Sequence, residues 1–386
     1  MPWKEICAMD QKMELIRLWK SDRYSISELS ALFDVSRKTA YKWIRRYETA
    51  GPSGLKKRST APRRHPNSTA REIVAKVIAI KLRHRDWGPG KVLAWLSEHD
   101  REEKWPVVST MSDILKKAGL VKTRRRRHKT PPYTDPFTNC NWPNSVWSAD
   151  FKGQFRMGNK ELCYPLTITD SYSRYILLCK GLNHPNYRDT RKYFELVFKQ
   201  YGLPEAIRTD NGAPFASVGT YGLSKLSAWF IRLGIRPERI EPGHPEQNGR
   251  HERMHRSLKE VTATPPKNNM QAQQAAFDEF VYEYNFERPH GALNQRNPAA
   301  IYQKSEVNHP RRIPKITYSF DMLRRKVSRN GEISWKKKNI FISKALTGEH
   351  IALRRKEEHL YELWFSNYQI GILDLLHRKV LPMCPD

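Results

Sequence analysis

Apolar residues in the first fifty positions recur at helical spacing. Met13, Leu15, Ile16 and Trp19 share one side of a segment from Met9 to Lys20, a shorter helix is predicted over ISELSALF, and a third runs from Arg37 to about Tyr47. Ser36 is placed to cap the third helix and Asp34 and Val35 to form a tight turn before it, with Ala31 small enough to let two helices cross and Val35, Ala40 and Ile44 facing inward. Three more helices are predicted between about Thr69 and Leu120, from Ile73, Val77 and Ile80, then Val92, Leu93 and Leu96, then Ile114 and Leu115, with DWGPG as a turn. At 146 the period changes. VWSADFKGQF, CYPLTITD and RYILLCKGL read as three strands of a meander turning at MGNKEL and DSYS, followed by a helix from about Tyr187 to Tyr201 and a short buried strand in AIRTDNG. Alternation returns in EISWKKKNIFIS, EHIALRRK, HLYELWF and YQIGILDL, which predicts a small C-terminal β-barrel.

The expected fold class is therefore multidomain: helical N-terminal modules, an α/β core on a mixed sheet, and a β-rich tail. The expected divisions are 1–50, a linker at 51–68, a second helical module at 69–122, a linker at 123–145, the core at 146–303 and the tail at 304–386. GPSGLKKRSTAPRRHPNS and the run Arg124, Arg125, Arg126, Arg127, His128, Lys129 give the two linkers their basic character.

Charge adds a partner to this outline. The 386 residues hold 69 Lys and Arg against 40 Asp and Glu, a net +29, which favours a polyanion. The excess sits in the flanks: residues 1–145 carry 31 basic and 15 acidic side chains, whereas residues 146–300 carry 21 and 16. Basic arms around a nearly balanced core suggest nucleic acid gripped on either side of a segment that keeps its acids for another purpose. Arg37, Lys38, Thr39, Tyr41 and Lys42 would face the major groove if the first module is a helix-turn-helix, the alternative being a helical hairpin with a solvated basic face. The second module reads as a further helix-turn-helix or winged helix, or as a plain bundle. Its linker arginines, Arg124 to Arg127, would track phosphates. Five scattered cysteines (Cys7, Cys140, Cys163, Cys179, Cys384) show no zinc spacing and read as reduced thiols. The absence of a signal core or a long apolar run gives a cytoplasmic expectation.

The chemistry is carried by acids. Asp150 lies in the first core strand and Asp210 at the end of the short buried strand, ahead of a glycine turn. For a third acid, Glu246 stands beside Pro245 in a turn, whereas Glu252 falls within the helix that follows, with Arg256 and Lys259 at i+4 and i+7 and Asn248 at i−4. A carboxylate flanked by cations on one helix face suits a metal next to phosphates, so Glu252 is preferred. Asp170 in ITDSYSRY reads as a turn former. His244 and His255 read as turn residues or DNA contacts, since imidazole does not suit a magnesium site.

The phrases WSADF, RTDNGAPF and GHPEQNGRHERMHRSLK, followed by YNFERPHGAL and NPAAIY, resemble the integrase core of bacterial insertion-sequence transposases, relatives of retroviral integrases. The resemblance spans about 146–303, and the helix-turn-helix modules ahead of it match the layout of such a transposase. It implies a ribonuclease H-like core in which Asp150, Asp210 and Glu252 form the catalytic and metal-binding triad, Asp150 bridging two Mg2+ ions that Mn2+ can replace. It also implies a nucleoid-associated enzyme that binds the inverted repeats of its element and target DNA as a dimer or larger assembly. The spacing departs from the family: 41 residues separate the second and third acids where 35 are common, attributed to an insertion around Ser217 to Ser224. The zinc module of retroviral integrases is missing. In the tail, Lys336, Lys337, Lys338, Arg354, Arg355 and Lys356 are available for DNA, with dimerisation as the alternative. A regulator with a dead integrase core and a ribonuclease H-type nuclease are the rival functions; all three acids and the DNA-reading modules speak against them.

Overall fold

The computed structural model describes residues 8–57, 68–121, 140–216, 223–240 and 245–381. The chain divides into two compact units, Met1–Ser68 and Thr69–Asp386.

The first unit holds helices α1 (Ala8–Lys20), α2 (Ile26–Leu32) and α3 (Arg37–Ala50). Ser25 opens α2 with a reciprocal capping box to Glu28, and the Ser36 hydroxyl accepts from the Thr39 amide at 3.2 Å to open α3 as expected. Asp34 takes φ 51° in the turn between them. Leu15, Ile16, Ala40, Ile44 and Leu55 form the core. The small residue at its centre is Ala40, fully buried, and not Ala31, which is exposed: the α2–α3 turn rolls Ala31 outward and Leu29 in. After α3 the chain folds back so tightly that a Cβ on Gly54 would lie 2.1 Å from the Arg46 carbonyl oxygen.

In the second unit α4 (Arg71–Arg83), α5 (Pro89–His99) and α6 (Val108–Lys117) pack around Val77, Trp87, Val92, Leu96, Met111 and Leu115. The described residues of this module include no strand. The α4–α5 turn is fastened to the remainder of the unit by charge. Arg83 pairs with Glu287 at 3.2 Å, His84 Nδ1 lies 2.9 Å from Glu283, and Arg288 bridges Asp86 to Ser257.

Beyond it lie β1 (Val146–Phe151), β2 (Phe155–Arg156), β3 (Leu162–Asp170), β4 (Ile176–Leu182), α7 (Tyr187–Tyr201), β5 (Ala206–Thr209), α8 (Lys225–Arg232), β6 (Arg236–Arg239), α9 (Gly249–Thr262) and α10 (Met270–Tyr282). The strands run β2-β3-β1-β5-β6, with β4 on β3. β1, β3 and β4 are the antiparallel meander, whereas β5 and β6 join parallel to β1 through helical crossovers, giving the mixed sheet. Trp147, Ile168, Phe194, Phe198, Ile207 and Phe230 fill one side; Met254, Leu258, Phe277 and Phe280 from α9 and α10 cover Cys163 and Cys179 on the other.

The tail adds β7 (Leu323–Lys326), β8 (Glu332–Trp335), β9 (Lys338–Phe341), β10 (His350–Arg355), β11 (Leu360–Phe365), β12 (Tyr368–Asp374) and β13 (Lys379–Leu381). The expectation of a barrel meets an open antiparallel sheet, β13-β12-β11-β10-β7, with β8–β9 as a separate hairpin. The reason lies in what covers its apolar face. Ile351, Leu353, Leu363 and Phe365 pack against Ile333 and Ile340 of the hairpin and against Leu223, Ala228 and Ile231, the last two on α8. Because helix and hairpin bury that face, the strands need not close on themselves. α8 thus has two apolar sides, Leu226, Trp229 and Phe230 serving the core.

Candidate active site

The parallel pairing of β1 with β5 sets Ala149 opposite Thr209, so the next residue on each strand, Asp150 and Asp210, emerges side by side. Their carboxyl groups lie close enough for the charge of Asp210 to be felt at Asp150. Gly212 donates its amide to Asp210 at 3.1 Å, and a Cβ there would come within 3.0 Å of the Asp210 carboxylate, so the glycine turn leaves that oxygen room. Burial first, then the charge of Asp210, pushes the Asp150 pKa up to about 8.

α9 supplies the opposite wall. A cleft of about 540 Å³ is lined by Asp150, Lys152 and Gly153 on the strand side and by Glu252, His255, Arg256, Lys259 and Glu260 on the helix side. Glu252 sits in the first turn of α9, and Glu252, Arg256 and Lys259 are all exposed, following the i, i+4, i+7 stripe read from the sequence. Asn248 differs. It immediately precedes α9 and is only 5% exposed, so it is not presented to a ligand with the other three. The side chain of Glu246, His244, the supposed insertion at 217–222 and Arg124, Arg125, Arg126 and Arg127 lie outside the described residues; Ser224 belongs to the capping box of α8.

The inward face of α9 carries His251, Met254, His255 and Leu258, a helical stripe opposite the acidic one. His255 is not an exposed DNA contact. It is 3% exposed, with Nε2 2.7 Å from the Thr167 hydroxyl and Nδ1 3.7 Å from an Asp150 oxygen. His251 spans Thr167 at 2.8 Å and Thr169 at 2.8 Å with its two ring nitrogens. Burial holds the His251 pKa down at about 3 and that of His255 well below the usual imidazole value, so both rings are neutral at pH 7. Although Asp150, His251 and His255 lie close enough together to hold an ion, both His251 nitrogens are already engaged by β3. The web fastens α9 to β3 beneath the acids, and sequence reading missed it: the 251/254/255/258 spacing was its signal. Asp170 spends its carboxylate on the amides of Asn144 and Ser173 and on the Ser173 hydroxyl, as a turn former does.

The raised Asp150 pKa has a measurable consequence. Its value in the fold lies above the unfolded 3.8, so its contribution to stability is complete below pH 3.8 and is lost as pH rises through about 8. In metal-free buffer, Asp150→Asn should flatten the fall in melting temperature between pH 4 and pH 8; an unchanged slope in thermal unfolding would show that the strain of ionising this pair lies elsewhere.

In the first unit Arg37, Lys38, Tyr41 and Lys42 lie exposed along α3, whereas Thr39 also bonds its hydroxyl to Ser36 at 2.9 Å and serves the cap. Lys336, Lys337, Lys338, Arg354, Arg355 and Lys356 are exposed on the tail, with Arg354 paired to Glu362 and lying over Trp364.

Comparison with known proteins gives these features a context. Residues 141–245 and 233–298 match profiles of the integrase core domain, 11–63 a helix-turn-helix domain, 39–115 a homeodomain-like domain, and 322–381 the C-terminal domain of IS481 family transposases. An uncharacterized 31.7 kDa protein of insertion element IS407 from Burkholderia multivorans is 26% identical over 197 residues, 50% of this chain and 67% of the relative. An uncharacterized 39.2 kDa protein of insertion element IS476 from Xanthomonas euvesicatoria is 25% identical over 259 residues, 63% of this chain and 69% of the relative. The Pol polyprotein of Radiation murine leukemia virus is 28% identical over 121 residues, 31% of this chain and 19% of that far longer protein.

Proposed function

We propose, for a chain that belongs to the integrase-core transposases of insertion sequences, that Asp150, Asp210 and Glu252 hold two divalent cations and that the cleft between β1 and α9 is where DNA ends are cut and joined. One observation carries this reading: Asp150 shares a cleft with Glu252, Arg256 and Lys259 while Asp210 leaves the end of the neighbouring strand beside it. The donor set fits magnesium, with manganese as its substitute. It is all carboxylate oxygen, and the repulsion that raises the Asp150 pKa is what a cation between the two acids would relieve. When bound, the ions activate a water or a 3′-hydroxyl and stabilise the leaving oxygen of an in-line displacement.

The chain's own groups do the remainder. Asp150 and Asp210 leave rigid strand ends and Glu252 a helix anchored through His251 and His255, so the three carboxylates keep their separation while DNA moves in. Arg256 and Lys259 hold the phosphate beside the reacting 3′ end. In joining, the 3′ oxygen bonds to the target phosphorus as the target's own P–O3′ bond breaks and that oxygen leaves as a hydroxyl. The partners are the inverted repeats of the element and target DNA, met by at least two copies of the chain, since two ends join in one event.

Incubating the full chain, magnesium and a pre-cut duplex taken from the DNA bounding the gene tests the proposal. A joined product is expected; binding alone would indicate a regulator, and hydrolysis alone a nuclease. End recognition is assigned to the first unit. Deleting residues 1–68 should remove the preference for end over random DNA and leave weak, salt-sensitive binding, because base edges are read from α3 while phosphate neutralisation is spread across the basic segments. Competition binding checks this, and undiminished discrimination would move recognition to another segment.

A further inference from the structure

The strand wall of the cleft carries a cation that the acids and the α9 stripe leave unexplained. Lys152 follows β1 directly, and its amide donates to the Pro165 carbonyl at 2.9 Å, so the β1–β3 pairing continues one residue past the strand and fixes this backbone. Side chains two apart on an extended chain point to the same side. Lys152 accordingly shares the cleft with Asp150, whereas Phe151 between them turns to the core, its ring 5.7 Å from that of Phe215. Among the described residues the Lys152 ammonium has no hydrogen-bond or ion-pair partner, although the side chain is half-buried. Its charge is nevertheless felt at Asp150, His251 and His255.

This cation, without a partner among the described residues, lies across the cleft from Arg256 and Lys259, so each wall offers positive charge beside the carboxylates of Asp150, Glu252 and Glu260. Two DNA strands must meet there for joining, and one cationic wall could steady only one of them. We propose that Lys152 is a catalytic residue that grips a non-bridging oxygen of the phosphodiester under attack and stabilises the charge that gathers there as the displacement proceeds. The inference rests on the carboxylate site proposed above. Lys152 takes no part in the bond changes and contributes positive charge beside the phosphate, where a fixed cation counts for more than one in bulk solvent.

The test uses the full chain and an uncut duplex running through the element's end. Lys152→Met should lower both cleavage and joining by about a hundredfold with equilibrium binding changed by less than about threefold, since phosphate contacts are many. Lys152→Arg, which keeps the charge, should recover most of the loss. A second readout needs neither metal nor turnover: in Lys152→Cys, a duplex whose scissile phosphate carries a tether ending in a pyridyl disulfide should crosslink by thiol–disulfide exchange, the introduced thiolate displacing pyridinethione, whereas the same tether six nucleotides inward should not, with the parent chain as control. Asp150→Asn is run alongside. If Asp150→Asn joins normally, the carboxylate site itself fails. If Asp150→Asn is inactive while Lys152→Met joins within about twofold of the parent, only the Lys152 assignment is overturned. Equal crosslinking at both tethers, or no rescue by Lys152→Arg, would also overturn it, because a residue that merely supports the strand has no preference for one phosphate.

Discussion

Asp150→Asn, Asp210→Asn and Glu252→Gln are each expected to cut end joining by about a thousandfold or more and to change end binding by less than about threefold. Each swap keeps the shape of the side chain and removes a charge, so the fold that places it is retained. Asp150 and Asp210 leave adjacent strand ends, and Asn at either position keeps the size and polarity of the side chain there. What is lost is the anionic ligand set, and with it the positioning and activation of the attacking oxygen. Binding survives because most phosphate contacts belong to basic segments outside the cleft. Strand transfer and equilibrium binding measured on the same duplex decide the matter. Normal joining by Glu252→Gln together with loss in Glu246→Gln would transfer the third position to Glu246.

The second large effect concerns the helix stripe. Arg256→Glu combined with Lys259→Glu should lower joining by about a hundredfold or more, with binding to a long DNA reduced only several-fold. Both residues line the cleft and are exposed, so their replacement by acids sets two negative charges where a phosphate must lie. Basic segments elsewhere in the chain would still neutralise phosphates, so initial binding should largely be kept. A solvated face would respond differently, with joining intact and only a small rise in salt sensitivity. That outcome would detach α9 from the reaction and remove the physical reason for preferring Glu252.

Much of this was legible in the chain, for reasons that can be located. β1, β3 and β4 are short runs rich in apolar, aromatic and β-branched residues set off by turn residues, and the helix at Tyr187–Tyr201 is bounded by an Asn cap and a glycine, so both could be read locally. The stripe of Glu252, Arg256 and Lys259 was visible because a helix repeats it within two turns. β6 was not: RPER is polar and contains a proline, and it is a strand only because β5 offers it an edge. α8 was not read either, since its apolar residues fall on nearly every side, a pattern explained only once both of its neighbours are present. The His251–Thr167–His255 web joins positions more than eighty residues apart, and nothing local to α9 distinguishes a histidine that braces a strand from one that meets DNA. Arg288 and Asp86 are a comparable case: their contact spans some two hundred residues and ties the second helical module to the segment after α10.

The two-sided character of α8 bears on how such a gene decays. A stop codon or frameshift falling after the core, anywhere between codons 304 and 350, deletes the strands that cover Ala228 and Ile231 and leaves an apolar row of α8 in water. The product would be a sticky fragment cleared by proteolysis, not a smaller working enzyme or a soluble competitor for the element's ends.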